Sequence, residues 1–232
     1  MKSNMLRLAL LGIGVFLTGV SAHQAMGAPT VFFARDDSTG LMPNSLAKFN
    51  HFTTALGSFG VENVETISGM NPTLVFGTTG ITASTQGVMT QAALVFAIDD
   101  YALLETDSFV GPANTTFTFN QPITAFGLYV IQGGDVDNNN PTTFRLRDTV
   151  GDTFVDVPVQ VGPGWEPTNV FFLGVTDNVP FNQVEIIETG DVADGMLYDN
   201  VVAGFVPEPN SLALMVLGVA AVAGRARRLR RS

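Results

Sequence analysis

Carboxylates are the main reactive groups this chain offers. It has twenty-one Asp and Glu, two His and no Cys in 232 residues. A thiol nucleophile is therefore excluded. A Ser–His–Asp triad would have to use His51, because His23 lies in an apolar leader segment, and no Gly-x-Ser-x-Gly elbow exists. His51 adjoins Phe52 in an amphipathic stretch and is expected on a helix surface. Zinc sites want Cys or several His, which are missing. Calcium asks only for hard oxygen ligands. The stretch Gly133–Asn140 opens Asp135-x-Asp137-x-Asn139, as calcium loops do, but Asn140 and Leu146 stand where such loops carry Gly and Glu. Its plainer reading is a long hairpin loop, in which Asn and Asp side chains brace turns. Asp99 and Asp100 with Glu105 and Asp107 form a weaker group of the kind solvated loops carry. Asp191, Asp194 and Asp199 form a third group. Glycoside hydrolysis needs two carboxylates about 5–10 Å apart across a cleft. With this many acids such pairs arise by chance, so they argue for nothing, and no enzyme is expected. Trp165, the single Trp, sits in the loop sequence Gly162–Pro167. It reads either as a lid over a strand end or as a stacking platform for a sugar, with Tyr101 and Tyr129 as the other amphipathic aromatics.

The charge is unevenly spread. Of eleven Lys and Arg, only Arg35, Lys48, Arg145 and Arg147 fall between residues 28 and 205, against twenty acids, a balance of −16. A body of that sign repels phosphate backbones, so nucleic acid is excluded as a partner. An apolar share of 46% excludes a disordered chain.

Residues 1–27 read as a secretory signal peptide. Lys2 and Arg7 precede an apolar run from Leu8 to Val20, and Ala25-Met26-Gly27 offers small residues for signal peptidase. Cleavage after Gly27 is expected, with Ala22 and Ala25 as alternatives. At thirteen residues the run is short for a spanning helix, which needs about 20. Residues 206–232 fall into three parts. Pro207-Glu208-Pro209 breaks any helix. Leu212–Gly224 has no polar side chain and reads as a hydrophobic helix. Arg225, Arg227, Arg228, Arg230 and Arg231 then form a cationic end that stays cytoplasmic, leaving the body outside the inner membrane. This ordered set resembles the PEP-CTERM sorting signal of exosortase substrates. The resemblance implies exosortase as a partner, cleavage near Pro-Glu-Pro, a transient inner-membrane anchor, and delivery to the surface or extracellular matrix of a Gram-negative, biofilm-forming cell. From Pro209 to Gly224 an α-helix spans only about 24 Å, short of a roughly 30 Å hydrocarbon core unless the arginines snorkel.

The body, residues 28–205, reads as mostly strand. Its one helical pattern starts at Asn44 as cap and repeats apolar residues at Leu46, Phe49, Phe52 and Leu56, closed by Gly57 and Gly60. Strands are expected at 30–34, 61–67, 73–76, 81–85, 93–98, 115–119, 123–131, 143–147, 154–161, 170–175, 181–187 and 197–205. Short strands with turn signals between them and no βαβ rhythm predict an all-β fold. The expected form is an antiparallel β-sandwich, jelly-roll-like, with one short N-terminal amphipathic helix. No Thr-x-Thr ladder recurs at fixed period, so no flat ice-matching face is expected.

The pieces Ile123–Leu128, Phe171–Val175, Val179–Val184 and Tyr198–Val202 resemble the jelly-roll-like bodies common among PEP-CTERM proteins, which are similar in outline to carbohydrate-binding modules. That resemblance implies a structural calcium joining first and last strands, here Glu65 with Asp194 and Asp199, and otherwise no cofactor. It also implies a structural or adhesive role through polysaccharide or matrix binding. The alternative is an extracellular carbohydrate-active enzyme.

Overall fold

The structure is a computed structural model that describes residues 28–36, 42–67, 69–93, 98, 101–105, 114–131, 142–148, 154–159, 170–187 and 197–207. The expected leader (1–27) and the apolar and arginine-rich parts of the tail lie outside these residues. In chain order come β1 (Thr30–Asp36), α1 (Pro43–Thr54), β2 (Ser58–Glu62), β3 (Thr73–Val75), β4 (Thr82–Gln86) and β5 (Val88–Ala93). They are followed by β6 (Tyr101–Glu105), β7 (Asn114–Ile131), β8 (Thr142–Asp148), β9 (Phe154–Val159), β10 (Val170–Ile187) and β11 (Leu197–Phe205). Every pairing among the described residues is antiparallel.

Two strands of 18 residues organise the fold. The sequence pattern splits each of them in two, at Gln121-Pro122 and at Asn178–Pro180. The chain instead stays extended through both prolines. What the prolines interrupt is the ladder: β7 and β10 pair regularly from Val170↔Ile131 to Thr176↔Ala125, shift register around Phe181↔Ile123, then resume at Gln183↔Thr118. A residue without an N–H cannot hold a ladder rung, so the pair bends there. Each half joins a different sheet. The Val170 half of β10 and the Ile131 half of β7 lie between β1 and β11, and β11 continues to β2 and β6. The other halves lie between β8–β9 and β4–β3. The two sheets fold face to face, with Phe117 against Phe126 at 5.0 Å between ring centres. This is the expected antiparallel sandwich. β6, and β5 before Ala93, were not read from the sequence as strands.

The first sheet is buried on both faces. Phe126, Leu128, Val130, Phe171, Leu173 and Val175 face the second sheet, while Ala125, Tyr129, Ile131, Val170 and Phe172 face α1. That is why Val170–Val175 is a continuous apolar run rather than an alternating one. Beneath the helix, Gly127 and Gly174 stand opposite each other in the ladder. A Cβ at Gly127 would lie 3.1 Å from the Phe52 ring, and one at Gly174 3.0 Å from it. The glycine pair leaves a bare patch on which Phe52 rests.

The helix is capped from outside. Asn44 is expected to cap it but sits inside the first turn, and Met42 at the cap position makes no side-chain bond. Asp36, the last residue of β1, does the work: its carboxylate accepts the Asn44 N–H at 3.2 Å and the Ser45 N–H at 2.7 Å. Ser45 is thereby drawn under the helix, where its hydroxyl reaches the carbonyls of Ala34 and Val170. The buried stripe becomes Ser45, Phe49, Phe52 and Leu56, and Leu46, expected on the core face, is 46% exposed. Burial pushes the Asp36 pKa up, but the bonds from Ser45 and then Asn44 outweigh it and hold it below the ordinary 3.8. A depressed carboxylate stabilises the fold above its unfolded pKa and stops doing so as pH falls through the folded value. Asp36→Ala is expected to lose about 1–2 kcal/mol at neutral pH. The gap between wild type and variant should close in acid, below about pH 4. Urea midpoints against pH check this; a gap independent of pH would refute it.

Candidate functional site

Three acids are buried among the described residues, and each binds backbone amides. Asp36 holds the start of α1. Glu62, at the end of β2, accepts N–H groups from Val64 at 3.1 Å and Val75 at 3.2 Å, fixing a turn in which Val64 has φ 58°. Asp199 sits at a bulge of β11, where the register against β7 slips by one residue and Asn200 has φ 45°. Its two carboxylate oxygens accept N–H groups from Ile98 at 3.0 Å and Asn200 at 2.7 Å. In a chain without cysteine, these carboxylates staple connecting segments to strands.

Of the expected calcium set, Asp199 is fully buried and Glu65 is half-buried in the turn after β2, while Asp194 lies outside the described residues. So do Trp165, Asp99, Asp100, Asp107 and the loop at 133–140. No group of three or more Asp, Glu, His or Cys able to hold a metal occurs among the described residues.

A shallow groove of about 640 Å³ runs between β1 and α1. Phe33, Arg35, Asn44, Ala47, Lys48 and His51 line it. The ring of Phe33 packs toward Phe171 at 6.2 Å, on the face turned to the second sheet. His51 stands edge-on to Phe32 at 5.4 Å. The groove thus gathers two of the four Lys and Arg of residues 28–205 and their one His. Residue-by-residue reading placed His51 on a helix surface, which is where it lies, but missed the groove. The available signal was the three-residue spacing of Lys48 and His51, which puts them on one helix face, beside Arg35 on a strand joined to the helix by a short connection.

The other two cations lie on β8. Arg145 pairs across the sheet with Asp156 on β9 at 2.8 Å and with Glu185 on β10 at 3.5 Å, as the register dictates. The bond to Asp156, ahead of the charges of Asp156 and Glu185, raises its pKa further and offsets the cost of burial. Arg145 and Arg147 both lie over the exposed ring of Phe154, at 5.8 and 5.9 Å.

At its C-terminal end β11 runs straight into Pro207. The Phe205 carbonyl accepts the Gly57 N–H at 2.8 Å, and the Val206 N–H bonds the Thr124 hydroxyl at 2.7 Å. The exposed Pro207 ring lies over Gly57, where a Cβ would come 3.1 Å from its Cγ. No helix among the described residues is long and apolar enough to cross a membrane.

Comparison with known proteins places two features beside this geometry. Solved structures of the family 29 carbohydrate-binding module CBM29-2, in two point mutants, align over 66% and 65% of this chain and 96% and 94% of theirs, both at 12% identity and TM-score 0.36. A third mutant of a family 29 module aligns at 11% identity and TM-score 0.34, over 65% and 95%. Likeness at this level carries no argument about ligands, and the sandwich stands on its own strand pairing. No curated protein matches the chain at a significant level. Residues 205–228 match the PEP-CTERM protein-sorting motif, a signal for exported proteins, so the chain carries that motif from the last residue of β11 onward.

Proposed function

We propose that this is an exported, exosortase-processed protein of the cell surface or extracellular matrix, with a structural or adhesive role exercised by binding polysaccharide. The observation that carries the reading is the sorting motif at 205–228, which begins where the folded body ends. In this reading residues 1–27 are a leader removed by signal peptidase, 28–205 the working domain, and 206–232 the sorting signal. Pro207, Glu208 and Pro209 form its recognition element, Leu212–Gly224 a transient inner-membrane anchor, and the five arginines from Arg225 to Arg231 its cytoplasmic stop. Trp165 is the proposed sugar platform. A structural calcium at Glu65, Asp194 and Asp199 belongs to the same reading; it fails if sodium chloride restores a melting temperature lowered by EDTA as well as calcium does at equal ionic strength. The rival, a carbohydrate-active enzyme, needs two carboxylates converging on a cleft. The binding role is supported by the use of the buried Asp36, Glu62 and Asp199 as backbone staples.

The test leaves the body intact. Pro207 is seated on Gly57, so the substitutions are Glu208→Ala and Pro209→Ala together. The doubly substituted chain is expected to accumulate unprocessed in the inner-membrane fraction. Normal processing and surface delivery of that variant would overturn the sorting reading.

A further inference from the structure

We propose that the end of the sandwich at which β7 and β10 bend docks on the lipid of the inner membrane's outer surface for as long as the tail holds the chain there. The proposal rests on the exported, tethered reading above and names the surface that faces the bilayer. Its starting point is where the chain leaves the body. Thr30 pairs with Thr176, Thr176 with Ala125, Ala125 with Gly204 and Gly204 with Phe59, so the five share one row across the first sheet. That row is the last regular one before the bend. The first residues of the body and the start of the sorting motif therefore leave by the same end, three strand spacings or about 14 Å apart. The tether is also short. From Pro207 to Leu212, where the apolar run begins, extended chain spans at most about 18 Å. A body of this length is about 40 Å wide. It cannot swing clear of the bilayer, and an anchor shorter than the hydrocarbon core draws its flanks toward the headgroups.

The bend end also carries the exposed apolar surface. Six large apolar side chains are exposed among the described residues, and four of them, Val31, Phe59, Val75 and Phe154, adjoin the bend. Phe59 lies in the row just traced, and Val31 is one rung further in. Phe154 pairs with Arg147, which stands opposite Gln183 where the ladder resumes. Val75 pairs with Thr82, whose N–H bonds the side chain of Asn120 beside the bend at 2.9 Å. Each of the four stands on a strand with one partner only, β1, β2, β3 or β9, so they mark the edges of both sheets. Arg147 lies over the Phe154 ring at 5.9 Å. An aromatic ring with an arginine beside it suits the headgroup layer, apolar on one side and charged on the other. The acids described at the bend are Asp148 and Asp177, and the Asp177 carboxylate accepts the Val179 N–H at 3.0 Å. Asp36, Glu62 and Asp199 lie on rungs away from it. Apolar contact, rather than charge, holds such a surface to lipid.

The chain has no cysteine, so a single introduced thiol takes one fluorescent label cleanly. The full chain is reconstituted in vesicles of phosphatidylethanolamine and phosphatidylglycerol that carry a nitroxide at the top of the acyl chain. Labels at Val75→Cys and Phe154→Cys are expected to be quenched. Labels at Leu46→Cys, at the start of α1, and Met70→Cys, in the β2–β3 connection, are expected to stay bright. Phe59→Asp should lower the docked-to-free ratio read at Phe154→Cys by about fivefold or more, the effect of withdrawing part of one aromatic surface from lipid. Phe59→Trp should preserve it. Equal quenching of all four labels, or of none, in chains that float with the vesicles overturns the docked end while keeping the tethered reading. Quenching at Phe154→Cys that survives Phe59→Asp overturns apolar docking, because the tether alone then accounts for it. A chain that does not float with the vesicles overturns the tethered reading and the docked end together. Labels that stay bright in vesicles, at positions shielded from a bulky thiol reagent only in cells containing exosortase, overturn lipid as the occupant in favour of that enzyme.

Discussion

Phe52→Ala is expected to destabilise the body by about 3–5 kcal/mol, the range for emptying a buried aromatic site. Phe52 is fully buried and its ring meets Phe32 at 5.2 Å and Phe172 at 5.4 Å. It rests on the bare patch left by Gly127 and Gly174, and the sheet cannot rise to fill the space, because its other face is packed against the second sheet. The cavity therefore stays open, which is the costly case. Phe49, half-buried one turn earlier and stacked on Tyr129 at 5.6 Å, should cost clearly less. Urea denaturation of the two variants gives the order. Equal losses, or a smaller loss for Phe52, would mean that the helix does not seat on the glycine pair.

Gly60→Ala is expected to cost at least as much, about 4 kcal/mol or more, by a different route. A Cβ at Gly60 would lie 2.1 Å from the carbonyl oxygen of Phe76 and 2.4 Å from its carbon. The clash is with backbone, so no side chain can swing aside. Nor is that carbonyl free to turn, since the Thr79 N–H and hydroxyl bond it at 3.3 and 2.6 Å. The substitution must lift the β3–β4 hairpin off β2, exposing Leu74, Phe76 and Ile81, all fully buried. Gly57→Ala is the comparison: its Cβ would meet only the exposed Pro207 ring, and its melting temperature should stay within about 4 °C of wild type. A Gly60→Ala protein that melts with the wild type would show that the hairpin does not close over β2.

The sandwich was legible because strand alternation and turn residues are local signals, and the helix because Phe49, Phe52 and Leu56 repeat with its period. The helix's rotation was not legible. Asp36 reaches the helix N-terminus through space, so Ser45 replaced Leu46 on the buried face by a contact that periodicity cannot register. The continuity of β7 and β10 was hidden for a related reason. Pro122 and Pro180 do break hydrogen bonding, and only the partner strand shows that the backbone keeps its direction. Of the site, the sorting motif was readable because its order lies along the chain. The groove was not, because it needs the edge of β1 beside one face of α1.

The position of β11 bears on how the domain would carry mechanical load. In the proposed reading the tether continues from Phe205, and a load applied at the β1 edge passes to it through β1, β10, β7 and β11 in turn. Antiparallel hydrogen bonds run perpendicular to their strands. A pull directed along β11 therefore loads a whole ladder in shear, and its bonds must yield together rather than peel one after another. Because β7 and β10 also run on into the second sheet, neither can slide without disturbing the opposite layer. The same two bent strands that close the sandwich would thus make it a lap joint between the tether and the far edge of the first sheet.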